Sequence, residues 1–186
     1  MRVLVCGSKS YKDIDSICHM LNAAYLSWQA SRNEWRSHSG DMPASQYWDE
    51  FVLIEGGAPG ADEIAARWWA PQLERDDQAK RLHIQVPADW GAPCDPTFCG
   101  KKPRHRRPRE HGPGSYCPAA EARRNQKMLD EYHPDIVFAF TDRPPGDSKD
   151  TKDMCDRAIA AGVPVWVTWT DQHGIVYSGP YVIEQG

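Results

Sequence analysis

The chain opens on an apolar, β-branched run, RVLVC (residues 2–6), that stops at Gly7. A short run closed by glycine predicts a buried strand leading into a tight turn. The period then changes. Ile14, Ile17, Cys18, Leu21, Tyr25 and Trp28 recur at helical spacing behind Asp13, whose short carboxylate suits an N-cap. Residues 31–49 are polar and turn-rich and predict a long connection. FVLIE (51–55) predicts a second strand, followed at once by GGAPGAD and a helix with Ala61, Ile64, Ala65, Trp68 and Leu73 on one face. LHIQV (82–86) predicts a third strand, which ends in PADW.

Residues 91–118 break every period, with proline, glycine, cysteine and basic residues dominating. Helical spacing resumes over 119–132, with Ala122, Met128, Leu129 and Tyr132 inward. DIVFAF (135–140) predicts a fourth strand and TDRPPGDSK a loop. A helix over 150–161 then puts Thr151, Met154, Cys155, Ala158 and Ile159 on one side. After a Gly162 stop, VPVWVT (163–168) predicts another strand, and HGIVYSGPYVIEQG a terminal hairpin or edge strand.

Strands alternating with helices imply right-handed βαβ units and a mostly parallel sheet. Strands apolar on both faces imply helices on both sides. The expectation is one α/β domain over residues 1–186, a three-layer α/β/α Rossmann-like fold with a Cys/His-containing loop insertion at 91–118. The loops GSKSY, GGAPGAD, PADW and TDRPPGDSK all follow strands. In such sheets ligands bind beyond the carboxyl ends of the strands, so these loops predict one composite site.

Composition changes this picture little. With 186 residues, 40% hydrophobic and 26% charged, the chain has the balance of a soluble domain. No apolar run approaches the roughly 20 residues of a membrane span, and the start lacks a signal-peptide pattern. A cytoplasmic protein is expected. The net charge of −4 gives no global sign of nucleic-acid binding. It conceals a contrast, because residues 101–111 carry six Lys/Arg against one Glu. Cys6, Cys18 and Cys155 sit in apolar patterns and read as buried thiols in a reducing compartment.

The loops supply the chemistry. Gly7 permits a turn without a Cβ, Ser8 offers a hydroxyl, and Lys9 can meet an anion. In GGAPGAD, Gly56 and Gly57 permit close approach of the Gly56–Ala58 backbone, and Gly60 permits a positive φ. The helix behind this loop presents free N–H groups, an anion site that a side chain at Gly57 would fill. The bland alternative is a tight turn with Asp62 capping the helix. Asp89 can bind a ribose or base and Trp90 can stack on a base, or both belong to a packed turn. Arg124, beside Asn125 near a helix start, opposes the helix dipole and calls for an anionic partner.

Together these motifs resemble the SLOG superfamily of Rossmann-like proteins, most closely its YspA/YpsA-related branch. The matching elements are GSKSYKD (7–13), GGAPGADEIAARWWA (56–70), PADW (87–90), ARRNQKM (122–128), and DIVFAF with the helix entered at DTKDM (150–154). The resemblance implies a nucleotide or nucleotide-derived ligand of ADP-ribose type, with Thr151 beside it, in a sensor, carrier or sequestering protein. Relatives often dimerise, so a homodimer is an alternative to the monomer. LOG-type relatives are phosphoribohydrolases that cleave the N-glycosidic bond of nucleoside monophosphates. They use an arginine, and a glutamate within PGG-x-GT-x-x-E. Here the loop reads PPGDSKDTKDM, so Asp150 replaces the glycine and Met154 the glutamate. A methionine cannot act as a base, and the departure favours binding over hydrolysis.

Within the insertion, Cys94, Cys99, His105 and Cys117 give C-x4-C-x5-H-x11-C, with His111 a competing ligand. A segment with so little apolar content builds no core of its own, and a structural zinc would supply folding energy. The alternatives are a reduced, unliganded loop or a disulfide. The basic run Lys101–Arg109 reads as a solvated or ligand-phosphate arm in preference to a nucleic-acid contact.

Overall fold

The computed structural model describes residues 1–38, 50–70, 80–99, 106–108, 114–144, 147–171 and 173–182. Its elements are β1 (Arg2–Gly7), α1 (Ile14–His38), β2 (Glu50–Glu55), α2 (Ala61–Trp69), β3 (Lys80–Gln85), α3 (Pro96–Cys99), β4 (Arg107–Pro108), β5 (Ser115–Tyr116), α4 (Ala120–Tyr132), β6 (Ile136–Thr141), α5 (Lys149–Ala160), β7 (Val165–Thr170) and β8 (Val176–Pro180). Six strands form one sheet in the order β3-β2-β1-β6-β7-β8. Five are parallel, and β8 lies antiparallel along β7 as the edge.

Alternation along each strand divides the interior into two cores. Val3 and Val5 face α1 and α2, with Ile17, Leu21, Trp28 and Ala65. Leu4 and Cys6 face α4 and α5, with Met128, Leu129, Met154 and Ala158. This is the three-layer α/β/α architecture, and it explains why the strands are apolar on both faces. An aromatic cluster fills the first core: Tyr25, Trp28, Trp68 and Trp69 surround Phe51 with ring centroids 5.3–6.3 Å away.

Two elements differ from expectation. Helix α1 runs on to His38, where a connection was predicted from residue 31. The polar residues there carry no stop signal, since the first glycine is Gly40, and a polar stretch suits a helix end as well as a loop. The rest of that connection, 39–49, and Leu73 lie outside the described residues. In α4 the inward set includes Ala120 and Asn125, while Ala122 and Tyr132 are only half-buried.

From β1 the chain builds outward through β2 to β3, then returns to place β6 on the other side of β1. Strand order therefore reverses between β1 and β6. At such a point the loops leaving the two strands turn away in opposite directions and open a crevice.

Candidate functional site

A cavity of about 290 Å³ opens at that crevice. The size is near the lower end for small-molecule sites. Its wall comes from the loop after β1 (Gly7, Ser8, Lys9, Ser10), from Ala58 and Asp62, from α4 (Glu121, Arg124, Asn125, Met128), from the loop after β6 (Asp142, Arg143) and from the start of α5 (Asp147 to Thr151, with Met154). Of the expected ligand contacts, Gly7, Ser8, Lys9, Ala58, Asp62, Arg124, Asn125 and Thr151 are brought together here.

The β1 loop is pinned from below. The Ser8 amide donates to the Phe140 carbonyl at 2.8 Å, and the Ser8 carbonyl accepts from the Tyr11 amide at 3.1 Å. A Cβ at Gly7 would lie 2.1 Å from the Phe140 carbonyl oxygen, so only glycine lets β1 and β6 close at this point. Across the mouth, Lys9 Nζ meets Glu121 Oε1 at 2.9 Å. Ser10 donates to Asp142.

Arg124 reaches from α4 over the end of β2. Its Nη1 donates to the Gly56 carbonyl at 3.0 Å and its Nε to Asn125 Oδ1 at 3.1 Å. Nη2 has no hydrogen-bond partner among the described residues. The orientation is held from behind: Asn125 Nδ2 donates to Asp153 Oδ2, which also accepts from Arg157 Nε at 2.8 Å. A half-buried guanidinium held this way is a fixed donor on the cavity wall.

The GGAPGAD loop works differently from expectation. Its Gly56, Gly57 and Ala58 amides are not open to an anion, because the protein's own carboxylates take them. Asp62 Oδ2 accepts from the Gly56 and Ala58 amides at 3.0 and 3.2 Å. The Gly57 amide donates to Glu55, a buried carboxylate that also meets His83 Nε2 at 3.0 Å. Gly56, Gly57 and Gly60 do not line the cavity. A Cβ at Gly57 would face the Gln85 side chain, so the predicted steric block of a ligand there does not follow. These glycines shape the turn, and Asp62 does not cap the helix: the N-cap is Gly60 without a side-chain bond, and the Asp62 carboxylate ties back the loop before it.

PADW is also reassigned. Asp89 Oδ1 accepts from the Gly91 and Ala92 amides, and the Trp90 ring meets Tyr116 edge-on at 5.7 Å. The Trp90 carbonyl accepts from the Cys117 amide. Asp89 and Trp90 thus secure the insertion and are absent from the cavity wall.

Sequence reasoning missed Glu121 and Asp142, which join Asp147 and Asp150 as the cavity's acidic side. Burial and a hydrogen bond shared with Glu121 push Asp150 up to about 6. Against the upward push of burial, hydrogen bonds from Asp150 and Lys9 hold Glu121 below the usual carboxylate range. The proton between the two carboxyls therefore sits on Asp150, with Glu121 the ion that accepts it. The Ser10 hydroxyl, more than burial opposes, holds Asp142 low, as an ion. Cys6 lies on the floor, but a hydrogen bond with Cys155 and burial push its thiol well above the ordinary value, so it supplies no thiolate.

Burial raises Asp62 to about 7, against the opposing pull of the Ala58 amide and Arg124. The folded chain then holds a proton that the unfolded chain releases near pH 4. Stability falls as pH rises between those values and is flat above. Asp62→Asn keeps an oxygen acceptor without the ionisation. It is expected to raise the thermal midpoint by several degrees at pH 8, with the gain shrinking toward zero near pH 4. An equal shift at both pH values in circular-dichroism melts would discard the ionisation as its cause.

The insertion gathers three thiols. The sulfurs of Cys94, Cys99 and Cys117 lie within 4.8 Å of one another, with Cys99 and Cys117 at 3.5 Å. None of the three forms a disulfide, and neither do Cys6, Cys18 and Cys155. Cys117 is buried and Cys94 exposed. Four ligands around zinc at about 2.3 Å stand about 3.8 Å apart, so the cluster has the donors and the spacing to hold a metal ion. His105 and His111 lie outside the described residues. So does most of the basic run, but Arg106 is no solvated arm. It donates to Ser115 Oγ, the Ser115 carbonyl and the Ala92 carbonyl at 2.7–2.8 Å, locking the insertion. Among the described residues no helix is long and apolar enough to cross a membrane.

A protein of Mycobacterium phage D29, described as "Gene 61 protein", is 28% identical over 165 residues, 88% of this chain and 93% of that protein. No family model matches the chain, and no solved structure matches it.

Proposed function

We propose that the cavity between β1 and β6 binds a phosphorylated, nucleotide-derived small molecule of ADP-ribose type, and that the protein is its sensor, carrier or sequestering protein. One observation carries the reading. At the strand-order reversal, Ser8, Lys9 and the Arg124 fork face into one cavity with the first turn of α5. Lys9 and Arg124 suit a phosphate; Glu121, Asp142 and Asp150 suit sugar hydroxyls. The mixed charge favours a ligand that carries both groups over a simple polyanion. The resemblance to SLOG proteins supports the same ligand class.

Calorimetry with ADP-ribose and AMP tests this. At least one is expected to bind one per chain, with affinity falling as salt rises. Failure of both, together with no nucleotide mass retained in native mass spectrometry of the purified protein, would overturn it.

A nucleotide N-glycosidase is the second reading. Met154 lines the cavity where the LOG comparison calls for glutamate, which disfavours it. The hydrogen-bonded Glu121–Asp150 pair is the observation in its favour, since general acid catalysis needs such a group. Free adenine released from AMP would establish it.

For the three-thiol cluster we propose zinc. A borderline-soft ion suits thiolates, and a site filled by protein ligands suits a structural role.

A further inference from the structure

We propose that the three-thiol cluster controls the ligand cavity: a thiophilic divalent cation on Cys94, Cys99 and Cys117 fixes the first turns of α4, and with them Glu121 and Arg124. The consequence for affinity rests on the proposed nucleotide-type ligand; the mechanical coupling does not.

Two connections run from the cluster to the cavity wall. The first is along the chain. Cys117 lies three residues before α4; its amide donates to Trp90, and its carbonyl accepts from the amide of Ala120, the first helical residue. One turn on, Arg123 ties the same helix end to the insertion through the Pro93 and Asp89 carbonyls, at 2.5 and 3.1 Å. The cluster and the start of α4 thus form one body.

The second connection reaches α4 through α5. Phe98, next to Cys99, lies under the Arg157 guanidinium at 5.4 Å. Arg157 holds Asp153, Asp153 holds the Asn125 amide, and Asn125 Oδ1 receives Arg124 Nε. Moving α3 therefore disturbs the support that aims Arg124.

Lys9 meets Glu121 and Arg124 meets the Gly56 carbonyl farther along, but the first residue of α4 is held by the Cys117 carbonyl. Its N-cap residue, Ala119, supplies no side-chain hydrogen bond. Helix ends without a capping side chain fray unless tertiary contacts hold them. Here those contacts come from an insertion whose described part has little apolar packing, so the cation is what makes the anchor stiff.

Hydrogen exchange read by mass spectrometry on the full chain tests the coupling, comparing zinc-loaded protein, chelator-stripped protein and Cys94→Ser. Cys94 is the exposed thiol, so its loss spares the buried packing. About one zinc per chain is expected in the untagged protein. Stripping is expected to speed exchange over residues 119–128 by about 10-fold or more while β1 and β2 stay protected, with Cys94→Ser shifting the same segment. ADP-ribose affinity should fall by about 10-fold alongside. Unaltered exchange across α4, a folded protein that takes up no zinc, or loosening spread evenly over β1 and β2 in both stripped protein and Cys94→Ser would each overturn the coupling. If ADP-ribose binds neither form, the ligand reading falls, and the exchange data still decide the coupling.

Discussion

Arg124→Ala is expected to weaken ADP-ribose binding by about 10- to 100-fold, the worth of a charge-assisted hydrogen bond at a half-buried site. Arg124 is the cation best held for this task. Lys9 is exposed and already paired with Glu121, whereas Arg124 is fixed by Gly56 and Asn125 with Nη2 left to point at a ligand. Arg124→Lys separates charge from shape. It keeps the charge but loses the planar fork, so an intermediate loss is expected. The fold should survive, because β1, β2 and both cores do not depend on the guanidinium. Calorimetry paired with circular dichroism reads both quantities. Full affinity in Arg124→Ala would place the phosphate elsewhere.

The second large effect concerns stability. Gly60 holds φ at 83°, and a Cβ there would lie 2.3 Å from the Ser8 carbonyl oxygen and 2.8 Å from the Lys9 carbonyl carbon. Both are backbone atoms that cannot swing aside. Backbone strain and overpacking each cost about 1–3 kcal/mol. Gly60→Ala is therefore expected to cost about 3 kcal/mol, or roughly 10 °C of thermal midpoint for a chain of this size. Gly162 is the control. Its φ is 75°, but nothing lies within 4 Å of a Cβ, so Gly162→Ala should cost only about 1 kcal/mol. Equal melting shifts in the two variants would show that contact with the β1 loop is unimportant.

Gly60 also shows where a sequence becomes opaque. Its positive φ was foreseen from the loop pattern; its pressure against Ser8 was not, since that needs two loops placed in space. The sheet, its two covering helix layers and the strand-ending loops were legible because apolar periods report burial directly. The destination of Asp62 and Glu55 was not. A carboxylate beside glycine-rich amides can cap the turn or leave it to a ligand, and the two outcomes share one sequence. The same ambiguity misplaced Asp89 and Trp90, whose neighbours in the structure come from 91–118. Glu121 and Asp142 escaped notice because one lies on α4 and the other in the loop after β6, and they form no motif along the chain. The place of Arg124 on the cavity wall was legible from the mismatch between its charge and the helix dipole, a signal that is physical and local.

The length of α1 has a practical outcome. Twenty-five helical residues extend about 37 Å, while a six-residue strand covers about 20 Å. Its core contacts run from Ile17 to Trp28, and the helix leads away from the cavity toward the opposite edge of the sheet. Tethering the protein to a sensor chip through that end of α1 would present the crevice outward to a flowing analyte.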